Sequence, residues 1–174
     1  MTKKNRVDPL DALGAVYETM YERVAENLTK ARLKTGPLIS ELIDDAKDKA
    51  VDLGEVAEED AEKLASYLKR DLDDAINYVS ETEYALKDWL GFETSVIKNA
   101  VIHALLETAD QTTLALLRMK KNAHEPYDYH TGEISGFGTL ICDECGEKLH
   151  FHKAGHIPPC PKCHNTSFHR IQID

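Results

Sequence analysis

The 174-residue chain carries 21 Lys+Arg against 31 Asp+Glu, a formal net charge of −10 and a mean hydropathy of −0.44, and no run of about 18 apolar residues marks a membrane span. The excess acid lies in residues 1–138, with 17 basic against 27 acidic side chains, whereas 139–174 carry four of each. A surface of that sign repels phosphate backbones and anionic lipid, which argues against nucleic acid or membrane as a partner of the first part and leaves a basic protein partner open.

Asp8-Pro9-Leu10-Asp11 is a helix start: Asp8 can cap, and Pro9 at the first helical position gives up a donor that has no partner there. Leu10, Leu13, Tyr17, Met20, Val24 and Ala31 then recur at helical spacing, a seam suited to pairing in a coiled coil, until Thr35-Gly36-Pro37 interrupts it. The pattern predicts a second helix from Pro37 to Leu53, with Leu38, Leu42, Ala46, Ala50 and Leu53 on its apolar face and Gly54 as its stop.

Glu58, Glu59 and Asp60 suit the first turn of a third helix, whose Leu64, Leu68, Leu72, Ala75, Val79 and Leu86 run toward Trp89-Leu90. Gly91 marks a break, and a fourth helix is expected over about 93–121. Acid-before-base pairs four apart, Glu26/Lys30, Asp45/Lys49, Glu59/Lys63 and Glu83/Lys87, read as solvated helix faces. The fold class expected is mainly α: an elongated antiparallel helical bundle or hairpin followed by a small C-terminal β zinc ribbon. In residue terms this is an acidic helical domain over 1–121, a Gly/aromatic connector over 122–138 and the ribbon over 139–174.

The bundle shows no reaction centre. Carboxylate-bridged di-iron sites need paired Glu-x-x-His turns, and none occurs ahead of the ribbon, because Ala100, Lys121 and Tyr127 precede His103, His124 and His130 by three. Gly-x-Ser-x-Gly and Gly-x-x-x-x-Gly-Lys are absent too, and the pattern at Gly136-Phe-Gly138 is too short for a dinucleotide fingerprint. No catalytic constellation emerges, and the chain is read as a non-enzyme. In the connector, Tyr129, His130 and Glu133 can be read as a binding cluster or, better, as parts of a tied-down hairpin.

The four cysteines stand as Cys142-Asp-Glu-Cys145-Gly146 and Cys160-Pro-Lys-Cys163-His164, the pairs 14 residues apart. Each Cys-x-x-Cys turn offers two sulfurs on one side, and the intervening stretch can fold the turns together into a tetrahedral thiolate site. No apolar signal segment follows Met1, so a reducing cytoplasmic location is expected, with free thiols and one structural Zn2+ on Cys142, Cys145, Cys160 and Cys163. Iron, as in rubredoxin-type sites, is the first competitor; added ligation by His150, His152, His156 or His164 is disfavoured because four thiolates already close the site.

Strands are expected at Thr139–Ile141, Lys148–His152 and Ser167–Ile171, with Leu140, Phe151 and Phe168 as the small core. Zinc, worth about 10 to 16 kcal/mol in comparable peptides, then decides whether the ribbon folds. Tight turns after each knuckle favour a left-handed backbone; Gly146 supplies it at the first, while His164 takes that place in the second at some strain.

The run Tyr129-His130-Thr-Gly132-Glu133-Ile-Ser-Gly136-Phe-Gly138 through Cys142-x-x-Cys145, with Cys160-Pro-Lys-Cys163, the closing Phe168-His-Arg170 and the upstream Arg70-Asp71-Leu72, resembles bacterial zinc-ribbon-containing proteins of the YbeL type. The resemblance implies a cytoplasmic protein with zinc on the four cysteines and brings no established activity; His164 departs from the glycine usual there. The function expected is a zinc-bearing protein-interaction module, with self-association through the helices open. The alternatives are nucleic-acid or transcription-complex binding through the ribbon and iron electron transfer. Against the first of these, Lys148, Lys153, Lys162 and Arg170 are thinly spread.

Overall fold

The structure, a computed structural model, describes residues 9–31, 39–81 and 128–170. Among the described residues three helices lead, α1 (Pro9–Ala31), α2 (Ile39–Asp52) and α3 (Glu58–Glu81), and six short strands follow: β1 (Tyr129–His130), β2 (Ile134–Ser135), β3 (Gly138–Cys142), β4 (Lys148–Phe151), β5 (Gly155–His156) and β6 (Ser167–Arg170). The expected fourth helix, the break at Gly91 and residues 122–127 of the connector lie outside the described residues. No helix among the described residues is long and apolar enough to cross a membrane.

The helices pack on one another through the seams that their spacing predicts. Tyr17, Met20 and Val24 of α1, Leu42, Ile43, Ala46 and Ala50 of α2, and Leu64, Leu68 and Leu72 of α3 are buried in one cluster. Leu53 departs from its expected place on that face and is 60% exposed. It follows the last helical residue, where the chain already turns: the Gly54 amide bonds to Val51 O at 2.9 Å and the Glu55 amide to Ala50 O at 3.0 Å, with Gly54 at φ +67°. This paired closure of the α2 end requires a left-handed residue, which is why glycine stands there. A two-pronged Arg23–Glu55 ion pair, with contacts of 2.8 and 2.6 Å, ties α1 to the same turn, and the expected Glu59–Lys63 pair forms at 2.8 Å on the solvated face of α3.

The strands form a four-stranded sheet in the order β1-β6-β3-β4 and a separate β2-β5 pair, all antiparallel. Leu140, Leu149 and Phe168 are buried between them with Tyr129, Ile157, Cys142 and Cys160, and Phe151 packs at the edge half-buried. The expected strands appear at β3, β4 and β6; His150 and His152 point to solvent, as alternation requires.

The segment 129–135 is held on both sides. The Thr131 amide bonds to Thr166 O, the Gly132 amide to Ile157 O, and the Ile157 amide to Glu133 O, each at 2.9 Å. It is fixed in place between β6 and β5, though not as a paired hairpin, since β1 pairs with β6 and β2 with β5. The strand region in turn docks on the helices: β5 lies on α1, and β2 lies on α1 and α3. Two glycines permit this approach, since a Cβ on Gly14 would meet Ala154 O at 3.0 Å and one on Gly136 would meet the Tyr17 hydroxyl at 2.8 Å.

Candidate metal centre

The two knuckles repeat one another bond for bond. In the first, the Cys142 amide donates to Glu147 O at 2.8 Å and the Gly146 amide to Cys142 O at 2.9 Å; in the second, the Cys160 amide donates to Asn165 O and the His164 amide to Cys160 O, both at 2.9 Å. Gly146 and His164 occupy matching positions at φ +72° and +62°. The strain expected at His164 is therefore real: a side chain sits where the turn needs a left-handed residue, at a cost of roughly 1 to 2 kcal/mol.

These turns bring four sulfurs together. The Sγ atoms of Cys142, Cys145, Cys160 and Cys163 all lie within 4.8 Å of one another, with Cys142–Cys163 at 3.5 Å and Cys145–Cys160 at 3.6 Å. A disulfide needs about 2.0 Å, and all four cysteines are free. Sulfurs at about 2.3 Å from a tetrahedral zinc stand about 3.8 Å apart, so the spacing suits one ion inside the cluster. Among the described residues no histidine or carboxylate joins the set.

The electrostatics ask for a cation. Desolvation works against the Cys142 thiolate, but the amides of Cys145 and Glu144 donate to its sulfur and outweigh it, lowering the thiol to about 6. Cys160 is lowered in the same way, desolvation being overcome by the amides of Cys163 and Lys162. The later cysteine of each knuckle moves oppositely. Cys163 accepts the Asn165 amide, which favours its thiolate, yet desolvation and the crowding sulfurs of Cys145, Cys142 and Cys160 push it up to about 12; Cys145, bonded to the Glu147 amide, is likewise raised by desolvation and by Cys160 and Cys142. Four thiolates cannot share this space alone, and a bound divalent ion removes the conflict. The amides that aim at the sulfurs would spread the remaining negative charge.

Most of the other residues singled out in the sequence serve the docking of the strands on the helices, and several partners there carry no sequence motif. Arg70 and Asp71 of α3 and Arg170 of β6 are buried. Asp71 accepts the Tyr17 hydroxyl at 2.6 Å and the Gly136 amide at 2.7 Å, and lies 3.7 Å from the Arg170 guanidinium. Arg170 donates to Tyr129 Oη and Ser135 Oγ at 3.0 Å and to Phe137 O at 3.1 Å. Arg70 donates to Ile134 O at 3.0 Å, pairs with Glu133, and places its guanidinium 3.8 Å from the centre of the Tyr129 ring.

Tyr129 hydrogen-bonds Asp74, and burial first, then the carboxylates of Asp71 and Asp74, hold its hydroxyl well above the usual range against the pull of Arg170 and Arg70. Tyr129 and Glu133 are thus structural ties, whereas His130 stays exposed beside Glu133. Tyr17 was readable only as an apolar seam residue; the one available signal was a phenol on an otherwise aliphatic stripe.

Two Cys-x-x-Cys knuckles on an antiparallel sheet, with their sulfurs converged, define a zinc ribbon. The chain belongs to the zinc-ribbon containing domain family, whose model matches residues 26–172, and within it to the YbeL type. It is 29% identical over 157 residues, 86% of this chain and 92% of the relative, to "Uncharacterized protein YbeL" of Escherichia coli strain K12, and to the same degree to the proteins of that name in Escherichia coli O157:H7 and O6:H1. No solved structure matches the chain.

Proposed function

We propose that the chain binds one structural zinc ion through Cys142, Cys145, Cys160 and Cys163, and that it acts as a non-enzymatic protein-interaction module in the cytoplasm. The convergence of four sulfurs with no other ligating group among the described residues carries the metal part of this reading. Such a site is closed: four thiolates leave no position for water or substrate, so the ion would supply folding free energy and no reaction step. For the interaction part, the support is that both knuckle tips are turned outward. Asp143, Glu144, Gly146, Pro161, Lys162, Cys163 and His164 are all exposed on a rigid base.

The near-neutral charge of the ribbon and the acid of the helices favour a protein over a nucleic-acid partner. Elemental analysis of protein purified without added metal tests the first part, with one zinc per chain expected and iron or no metal contradicting it. Residue-specific crosslinking from the knuckle tips in cells tests the second. A defined protein crosslinked at Lys162 and lost in Cys160→Ser supports an interaction role, whereas a steeply salt-dependent shift of a nucleic-acid probe would favour the alternative.

A further inference from the structure

The helical core is not closed by helices alone. Ile134 and Ala154, from the strand region, are buried in the same cluster as Tyr17, Met20, Leu68 and Leu72, and Phe137 packs against it. At the polar edge of that cluster Asp71 holds Tyr17 of α1, the Gly136 amide and, by charge, Arg170. If the strands withdraw, Asp71 loses the Gly136 amide and the Arg170 guanidinium, and Arg70 loses Glu133, Ile134 O and the face of Tyr129. Opening the ribbon would therefore strand charged groups made for burial.

Arg170 is tied to the four-cysteine site through the pairing of β6 with β3. Its strand β6 pairs with β3 so that Leu140 stands opposite Arg170 and the ligand Cys142 opposite Phe168. Phe168, fully buried, packs in one cluster with Cys142 and Cys160 and pairs on its other side with Tyr129. Whatever holds the sulfurs together holds β3 against β6, and so fixes where Arg170 presents its guanidinium.

We propose that the ribbon is a metal-dependent clamp on the helices: occupancy of the four-cysteine site and closure of α1 against α3 around Tyr17 and Asp71 are thermodynamically linked through Arg170. Loss of the metal then loosens the helices as well as the ribbon. By reciprocity, weakening the helical end lowers metal affinity by the same factor. The inference rests on the zinc reading above.

Amide hydrogen exchange on the full chain, zinc-loaded and after chelation, tests it. Chelation is expected to speed exchange across Gly138–Arg170, and also across Tyr17–Val24 and Leu68–Asp74, the helical segments by on the order of 100-fold, the scale set by leaving one partner of a buried ion pair behind. In zinc-loaded Arg170→Met the helical segments should already exchange at the chelated rate, and chelator competition should show zinc affinity weakened by the same factor, on the order of 100-fold. Tyr17→Phe, which keeps the ring and its packing, guards against simple misfolding of the arginine variant; about tenfold or more faster exchange is expected, matching one lost hydrogen bond to a charged group. Metal loss that opens the ribbon while both helical segments keep their protection would overturn the clamp alone. A chain with no metal to remove would overturn the zinc reading and the clamp together.

Discussion

The helical half and the ribbon solve the same problem by different means. Around the helices, Tyr17, Met20, Val24, Leu42, Ile43, Leu64, Leu68 and Leu72 supply large buried side chains from three amphipathic faces. The ribbon core holds Tyr129, Leu140, Leu149, Ile157 and Phe168 beside two cysteines. The first is stabilised by removing apolar surface from water; the second is too small for that alone and spends its cysteines as a staple. The difference teaches that metal should matter most where apolar burial is least.

Removing the metal gives the largest effect. Chelation, or Cys160→Ser, should cost the ribbon most of a zinc contribution of about 10 to 16 kcal/mol, read as collapse of the β-sheet signals in circular dichroism or NMR. Next comes Leu68→Ala, a cavity in the helical core costing about 2 to 5 kcal/mol, measured as a lower Tm. The folded fraction should still carry one zinc per chain, and a variant with intact Tm but no zinc would break the comparison.

Gly136→Ala strikes the seam between the halves, where the new methyl would meet the Tyr17 hydroxyl and Asp71. A loss of about 1 to 3 kcal/mol by denaturant melts is expected, the scale of overpacking. His164→Gly should act in the other direction: relieving a left-handed backbone at φ +62° should raise ribbon stability by up to about 1 kcal/mol and slow zinc release to a chelator. Lys63→Ala removes only an exposed pair with Glu59 and should leave Tm nearly unchanged, because solvent screens such a pair.

Much of this was legible in the sequence, for identifiable reasons. Helical spacing exposed the seams of α1, α2 and α3 because one face of each is buried, and Gly54 announced its stop because the αL turn there tolerates little else. The four-cysteine cluster was legible because four cysteines in two Cys-x-x-Cys turns have few other uses, and the strain at His164 followed from its position matching Gly146. Leu53 was misplaced because a periodic pattern carries no mark of the residue at which the helix ends.

The joint between the halves was hidden for a different reason. Asp71, Arg170, Tyr17 and Tyr129 are far apart in the chain, and each is common on a surface. Nothing in the immediate neighbours of Asp71 or Arg170 says that either is buried, and Tyr17 was legible as a seam residue but not as the partner of Asp71. Only the register of β3 with β6 and the approach of Gly136 to Tyr17 reveal them as one network.

The account turns on four sulfurs sharing one zinc, and X-ray absorption at the zinc edge of the protein as purified addresses that most directly. It predicts a single shell of four sulfur scatterers at about 2.3 Å with no nitrogen or oxygen. A shell with fewer than four sulfurs, light-atom ligands in their place, or no zinc edge at all would contradict it.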